Sequence, residues 1–136
     1  MKLGEKIRYF RRKAELTQKQ LGIMLGFTES NADVRIAQYE SGTRNPSFLV
    51  MKNMSDKLDV SRYALEAPEI DLHRQNETMH ILFALEDAGL IQFTDSGILI
   101  DTKDKNFRKR LLQWRTVHSK IADKESYDEW RYRYEE

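Results

Sequence analysis

The sequence predicts a mainly α protein, with an N-terminal bundle of five short helices followed by a small α+β region of one helix, a β-hairpin and two helices. Three observations predict it. Apolar residues recur at helical spacing through residues 3–66, punctuated by Gly26, Gly42 and Pro46. Near Gly97 the period changes to short β-branched runs, LIQF and GILI, separated by TDS. Between these parts, residues 66–76 (EAPEIDLHRQN) are polar and contain Pro68, which reads as a linker. The expected organisation is therefore residues 1–66 as one domain, 67–76 as a linker and 77–136 as a second region.

Charge separates the same halves. The 136-residue chain carries a net charge of only +1, but residues 1–68 hold 12 Lys/Arg against 8 Asp/Glu, and residues 69–136 hold 11 against 14. A basic front and an acidic rear suggest different partners for the two parts.

The first expected helix covers residues 3–14, with Leu3, Ile7 and Phe10 as its inner stripe and Lys6, Arg11, Arg12 and Lys13 mostly outside it. Those cations read equally as a solvated face or as phosphate contacts. Thr17 and Gln20 form a capping box that opens the second helix. Leu21 and Leu25 supply its apolar stripe. Gly22 lies in its interior, where it costs about 1 kcal/mol relative to alanine, and a close helix–helix approach would explain it. Gly26 is the expected left-handed stop.

In the third helix, at about 100° per residue, Ala32, Ile36 and Tyr39 share one face. Opposite lie Ser30, Asn31, Val34, Ala37 and Gln38. That polar and small-apolar surface suits a major groove, where amides read adenine edges and small apolar groups meet thymine methyls. An ordinary exposed helix face has the same composition. Gly42 ends the helix. Asn45 and Pro46 are the expected cap and first residue of a fourth helix, whose stripe is Phe48, Met51, Met54 and Leu58. Val60 closes this core and Ser61 caps a short fifth helix, SRYALE.

Taken together, Ile7-Arg8, Arg11, Leu16-Thr17-Gln18, Gln20-Leu21-Gly22, Leu25-Gly26-Phe27-Thr28, Ile36, Tyr39-Glu40-x-Gly42, Pro46-Ser47 and Leu58-x-Val60-Ser61 resemble the Xre-like helix-turn-helix family of Cro and the lambda-class repressors. The resemblance implies a lambda-repressor-like bundle of five helices with the third in the major groove of double-stranded DNA. It implies that Gln18, at the start of the second helix, bonds phosphate and reaches a base. It puts Val34, Asp33 and Gln38 at reading positions and Arg44 and Asn45 in a phosphate-contacting loop. Arg11 and Glu40 match a structural ion pair between the first and third helices. With Thr17, Ser30, Asn31 and Arg35, these make the candidate DNA-binding set Thr17, Gln18, Ser30, Asn31, Val34, Arg35, Gln38, Arg44 and Asn45. Asp33 repels phosphate and reads first as a local cap or ion-pair residue.

One departure stands out. The family spacing from the turn glycine to the core isoleucine is about six residues, and four more amount to about one helical turn. Here Gly26 to Ile36 is ten. This resembles a subgroup with a lengthened recognition-helix region. A helix extended at its start, capped by Ser30 or Thr28, is favoured over a longer turn because Ala32 continues the inner stripe.

In the rear half, Met79, Leu82 and Phe83, with Ile81 and Leu85 beside them, make a helix so apolar that it must be buried or covered by a partner. Gly89 caps it. The hairpin follows, then an amphipathic helix over 104–122 with Phe107, Leu111, Trp114, His118 and Ile121 in one stripe. Asp123 caps a last helix bearing Tyr127, Trp130 and Tyr134. Those aromatics read as half of a packed helical pair or, alternatively, as an RNA platform.

No catalytic or metal-binding residues are expected, and no cofactor. There are no cysteines, His73, His80 and His118 share no ligand spacing, and no Gly-rich phosphate loop or nucleophile elbow occurs. The start, MKLGEKIRYFRRK, has no apolar run, and no segment is long enough to span a bilayer. These features lead to the expectation of a cytoplasmic, non-enzymatic transcriptional regulator. It would be a repressor that occupies its operator as a homodimer on two half-sites about 34 Å apart. The alternative is an antitoxin-like or mobile-element adaptor whose residues 77–136 bind a partner protein.

Overall fold

The computed structural model describes residues 1–134. Residues 135 and 136, the end of the expected 77–136 region, lie outside the described residues. In chain order the elements are α1 (Leu3–Lys13), α2 (Gln18–Met24), α3 (Ala32–Ser41), α4 (Phe48–Leu58), α5 (Arg62–Glu66), α6 (Gln75–Asp87), β1 (Ile91–Thr94), β2 (Gly97–Ile100), α7 (Lys105–Lys120) and α8 (Lys124–Arg133). They form two compact units. One is Met1–Glu69 together with the described residues from Asp128 on, and the other is Ile70–Tyr127.

The first unit is held by one apolar core of Ile7, Phe10, Leu21, Ile36, Tyr39, Met51, Met54, Leu58 and Leu65. Local chemistry sets its helix ends. Thr17 accepts from the Gln20 amide at 3.1 Å while the Gln20 side chain accepts from the Thr17 amide at 2.8 Å. Gly26 and Gly42 take the left-handed φ values of 87° and 76° that end helices cheaply only at glycine.

Two buried glycines seat α3. A Cβ on Gly22 would overlap the Ala32 backbone, and one on Gly4 would overlap the Glu40 carbonyl. Thus α2 grips the start of α3 and α1 grips its end, backbone against backbone.

Several expectations change. Lys6 is buried rather than solvated. Its Nζ donates to the Leu65 carbonyl at 3.3 Å and the Ala67 carbonyl at 2.6 Å, so it closes the C-terminal end of α5. Burial lowers its pKa, and the Glu69 charge partly offsets this. The cap of α3 is Asn31, not Ser30 or Thr28, and its side chain makes no cap hydrogen bond. Thr28–Asn31 instead close a turn of their own, with the Asn31 amide donating to the Thr28 carbonyl at 2.9 Å. Ala32 is fully buried and does extend the inner stripe. The fourth helix starts later than Asn45–Pro46, because Ser47 is its cap and accepts from the Val50 amide. Phe48 then falls on the first turn and is 61% exposed, under the Arg62 guanidinium, instead of in the core.

The first unit also takes in the end of α8. The Tyr132 ring sits edge-on to Phe10 and Tyr9, with centroids 4.8 and 6.0 Å away. Its carbonyl accepts from the Ser61 amide at 2.6 Å. Ion pairs flank it, Lys13–Glu129 at 3.3 Å and Arg133–Asp59 at 2.8 Å.

The second unit is built differently. Its antiparallel hairpin sets Ile91 opposite Ile100 and Phe93 opposite Ile98. Asp104 caps α7, and Arg108 pairs with Asp101 at 2.5 Å. Trp114 Nε1 donates to the Tyr127 hydroxyl at 2.6 Å, and His118 meets the Tyr127 ring edge-on, so α7 packs on the start of α8. Among its described residues no apolar side chain is fully buried.

Candidate nucleic-acid interface

The candidate interface is built on α2, the turn after it, α3 and the loop to α4. Its foundation is buried. Glu40, on the inner side of α3, has no exposed side-chain surface. It accepts from Arg11 Nε at 2.5 Å and Nη2 at 3.3 Å, from Arg8 Nε at 3.2 Å and from Gln18 Nε2 at 2.9 Å. Arg11 also donates to the Leu16 carbonyl at 2.7 Å. Burial alone would raise the Glu40 carboxyl, but the hydrogen bonds from Arg11, Gln18 and Arg8, with the Arg11 charge, outweigh it and hold the pKa below the ordinary carboxylate range. One carboxylate therefore joins α1, the start of α2 and the end of α3.

The Gln18 contact orients that side chain. A carboxylate only accepts, so the amide nitrogen must face Glu40. One Gln18 N–H and its carbonyl oxygen remain for another partner, just outside the Thr17 cap.

The remaining candidates fall into three neighbourhoods. On α3, Val34 is 53% exposed and Gln38 is half-buried. The Gln38 carbonyl accepts from the Arg44 amide at 3.2 Å, which brings the loop cation to the end of α3, with Asn45 exposed beside it. In the turn, Ser30 and Asn31 are both exposed and tied to the Thr28 hydroxyl, at 3.4 and 3.1 Å. Lys19 and Glu29 pair at 2.8 Å and link α2 to this turn. Arg35 is half-buried, with its guanidinium 5.6 Å from the centre of the Phe27 ring. Thr17 is spent on its cap, apart from its hydroxyl hydrogen. Asp33 accepts from the Val34 amide at 2.9 Å, a local bond on the exposed face.

Sequence reasoning missed Arg8 and Lys6 as structural cations. The signal was present, since Lys6 precedes Phe10 by four residues and so flanks the inner stripe, but a charged residue is hidden from a hydropathy pattern. Tyr132 was missed as well. Trp130, Tyr132 and Tyr134 alternate, and that spacing does not decide which ring turns inward.

A short capped helix stopped at a left-handed glycine, a turn and a second helix with a buried inner side and an open outer side define a helix-turn-helix, a DNA-binding arrangement. Residues 7–65 match the family model described as helix-turn-helix. The N-terminal domain is thus similar to the Xre-like helix-turn-helix proteins, a family of DNA-binding regulators. No curated protein matches the chain. Among the described residues no group of His, Asp and Glu is arranged to hold a metal ion, and no helix is long and apolar enough to cross a membrane.

Proposed function

We propose that this protein is a sequence-specific, cytoplasmic transcriptional repressor that occupies its operator as a homodimer. The observation that carries the reading is the outer side of α3. Its inner side and both ends are fixed, by Ala32, Ile36 and Tyr39 and by the backbone contacts at Gly22 and Gly4. Val34 and Gln38 are left outward on a rigid support, as base readout requires. In this reading Gln38 bonds a base edge and Val34 meets a thymine methyl. Gln18 and Thr17 contact phosphate at the start of α2, and Arg44 and Asn45 contact it from the loop. Ser30, Asn31 and Arg35 lie at the lengthened approach to α3, where this subgroup would read DNA differently from shorter relatives.

Gel shifts on fragments flanking its own gene test the reading. Binding should be sequence-selective and weaken steeply with salt. Gln38→Ala should cost about 1–3 kcal/mol and relax selectivity at one base pair, whereas Arg44→Ala should weaken all sites alike and reduce the salt slope by about one. If neither substitution changes any DNA complex, the groove assignment is wrong.

A further inference from the structure

We propose that the outer side of α7 is a second contact for double-stranded DNA, one that holds the phosphate backbone without reading sequence. It shares no residue with the candidate interface on α2, α3 and their loops. The inference goes beyond the operator reading and takes from it only the identity of the polyanion.

Charge in the rear half is sharply divided. Residues 103–120 hold 7 Lys/Arg against the single acid Asp104, whereas the rest of residues 69–136 holds 4 against 13. The net acidity of this half therefore hides one strongly basic helix. At about 100° per residue, Lys105, Lys109, Leu112, Thr116 and Lys120 fall within an arc of roughly 80° on α7, with Arg115 beside it. All six are exposed, and no acidic residue stands on the helix. Among the described residues Lys105, Lys109, Arg115 and Lys120 make no ion pair, whereas Arg108 is taken by Asp101.

This placement does not serve the helix itself. Lys105 in the first turn opposes the helix dipole. Lys105 and Lys109, four residues apart, repel one another. An anion from outside the chain relieves both.

The chemistry of the face selects the anion. A helix that lies on a membrane buries its apolar stripe and leaves its cations in water. Here the stripe already has a protein neighbour, because Trp114 and His118 meet Tyr127 of α8. Single strands are held by aromatic rings set among cations, and the outer side of α7 has none. What it offers is a row of cations about 22 Å long, facing a duplex that carries one negative charge per about 1.7 Å of axis. The helix-turn-helix of the same chain raises the local concentration of that duplex, whereas an acidic protein would have to be recruited separately.

The test uses the full chain with two duplexes, one bearing the selected operator and one of random sequence. The triple change Lys105→Gln, Lys109→Gln and Lys120→Gln should lower the slope of log affinity against log salt by about two to three on both duplexes, with helical circular dichroism retained. In a second pair of proteins p-benzoylphenylalanine replaces Leu112 on the outer side or Phe107 on the opposite side. After irradiation, position 112 should cross-link to DNA and position 107 should not. Unchanged slopes overturn the proposal, as does a wild type that binds no duplex. So does cross-linking that is equal from the two positions or absent from position 112. Polyglutamate binding that the triple change abolishes, with the DNA slopes unaltered, would make the partner an acidic protein and also overturns it. The two readings fail separately. Selective operator binding with unchanged slopes fails this one alone, and slopes that fall on both duplexes without any selectivity fail the operator reading alone.

Discussion

Glu40 shows how much of the interface depends on one buried carboxylate. Four donor atoms from three side chains converge on it, and Arg11 is itself nearly buried. Glu40→Ala would leave the Arg11 guanidinium without its countercharge and should cost about 3–5 kcal/mol, read as a lowered urea midpoint. The depressed carboxyl also fixes a direction in pH. An unfolded chain binds this proton more readily than the folded one, so the stability it contributes is whole above the unfolded value of about 4.3 and is lost as pH falls through the lower folded value. Urea unfolding from pH 7 to pH 3 should therefore lose more stability in the natural protein than in Glu40→Gln. Equal losses would show that another group carries the acid sensitivity. The resemblance pairs Arg11 with Glu40, but nothing in the spacing brings Arg8 or Gln18 to the same carboxylate. Those contacts exist only once α1, α2 and α3 are docked.

Among the elements, α3 is the one whose position matters most, and its seating is a matter of glycine. Alanine is the better helix former by about 1 kcal/mol. Even so, Gly22→Ala should lower stability, because its methyl must displace the Ala32 backbone and overpacking of this kind costs about 1–3 kcal/mol. Thermal unfolding and operator affinity should fall together in that variant, since the shift is passed to the start of α3. A variant with unchanged melting would mean the helices separate freely there. The helix ends that local chemistry sets were legible in the sequence, including the Thr17–Gln20 box, Gly26, Gly42 and Ser61. The start of α4 was not. Asn45–Pro46 and Ser47 are competing caps, and only the packed position of the helix shows that Ser47 prevails, which moves Phe48 to the surface. The lengthened approach to α3 was half legible. Ala32 continues the inner stripe, but Thr28–Asn31 satisfy one another as a turn instead of capping the helix.

At the scale of the whole molecule, the first unit is assembled from two separated stretches of chain. Tyr132 covers Phe10 and Tyr9 while its carbonyl takes the Ser61 amide. Tyr132→Ala should destabilise this unit by about 2 kcal/mol, less than a fully buried aromatic because the ring stays partly open. Ending the chain after Tyr127 should cost at least as much, since the Glu129 and Arg133 ion pairs go with it. Urea unfolding of both variants, followed by helical circular dichroism, measures this, and unchanged midpoints would show the contact to be idle. This long-range closure was the least legible part of the fold. The helix period was clear over residues 124–133, but a period states only that some side turns inward, not onto which partner. The arrangement has a consequence for the order of synthesis. A ribosome makes the core of the DNA-binding unit first and the Tyr132 segment only after the whole of Ile70–Tyr127 has followed. At about 5–20 residues per second, each new chain passes several seconds with its helix-turn-helix formed but unclosed. Nascent chains thus carry this unit with Phe10 and Tyr9 not yet covered by Tyr132, and closure comes only to chains that have already made Ile70–Tyr127.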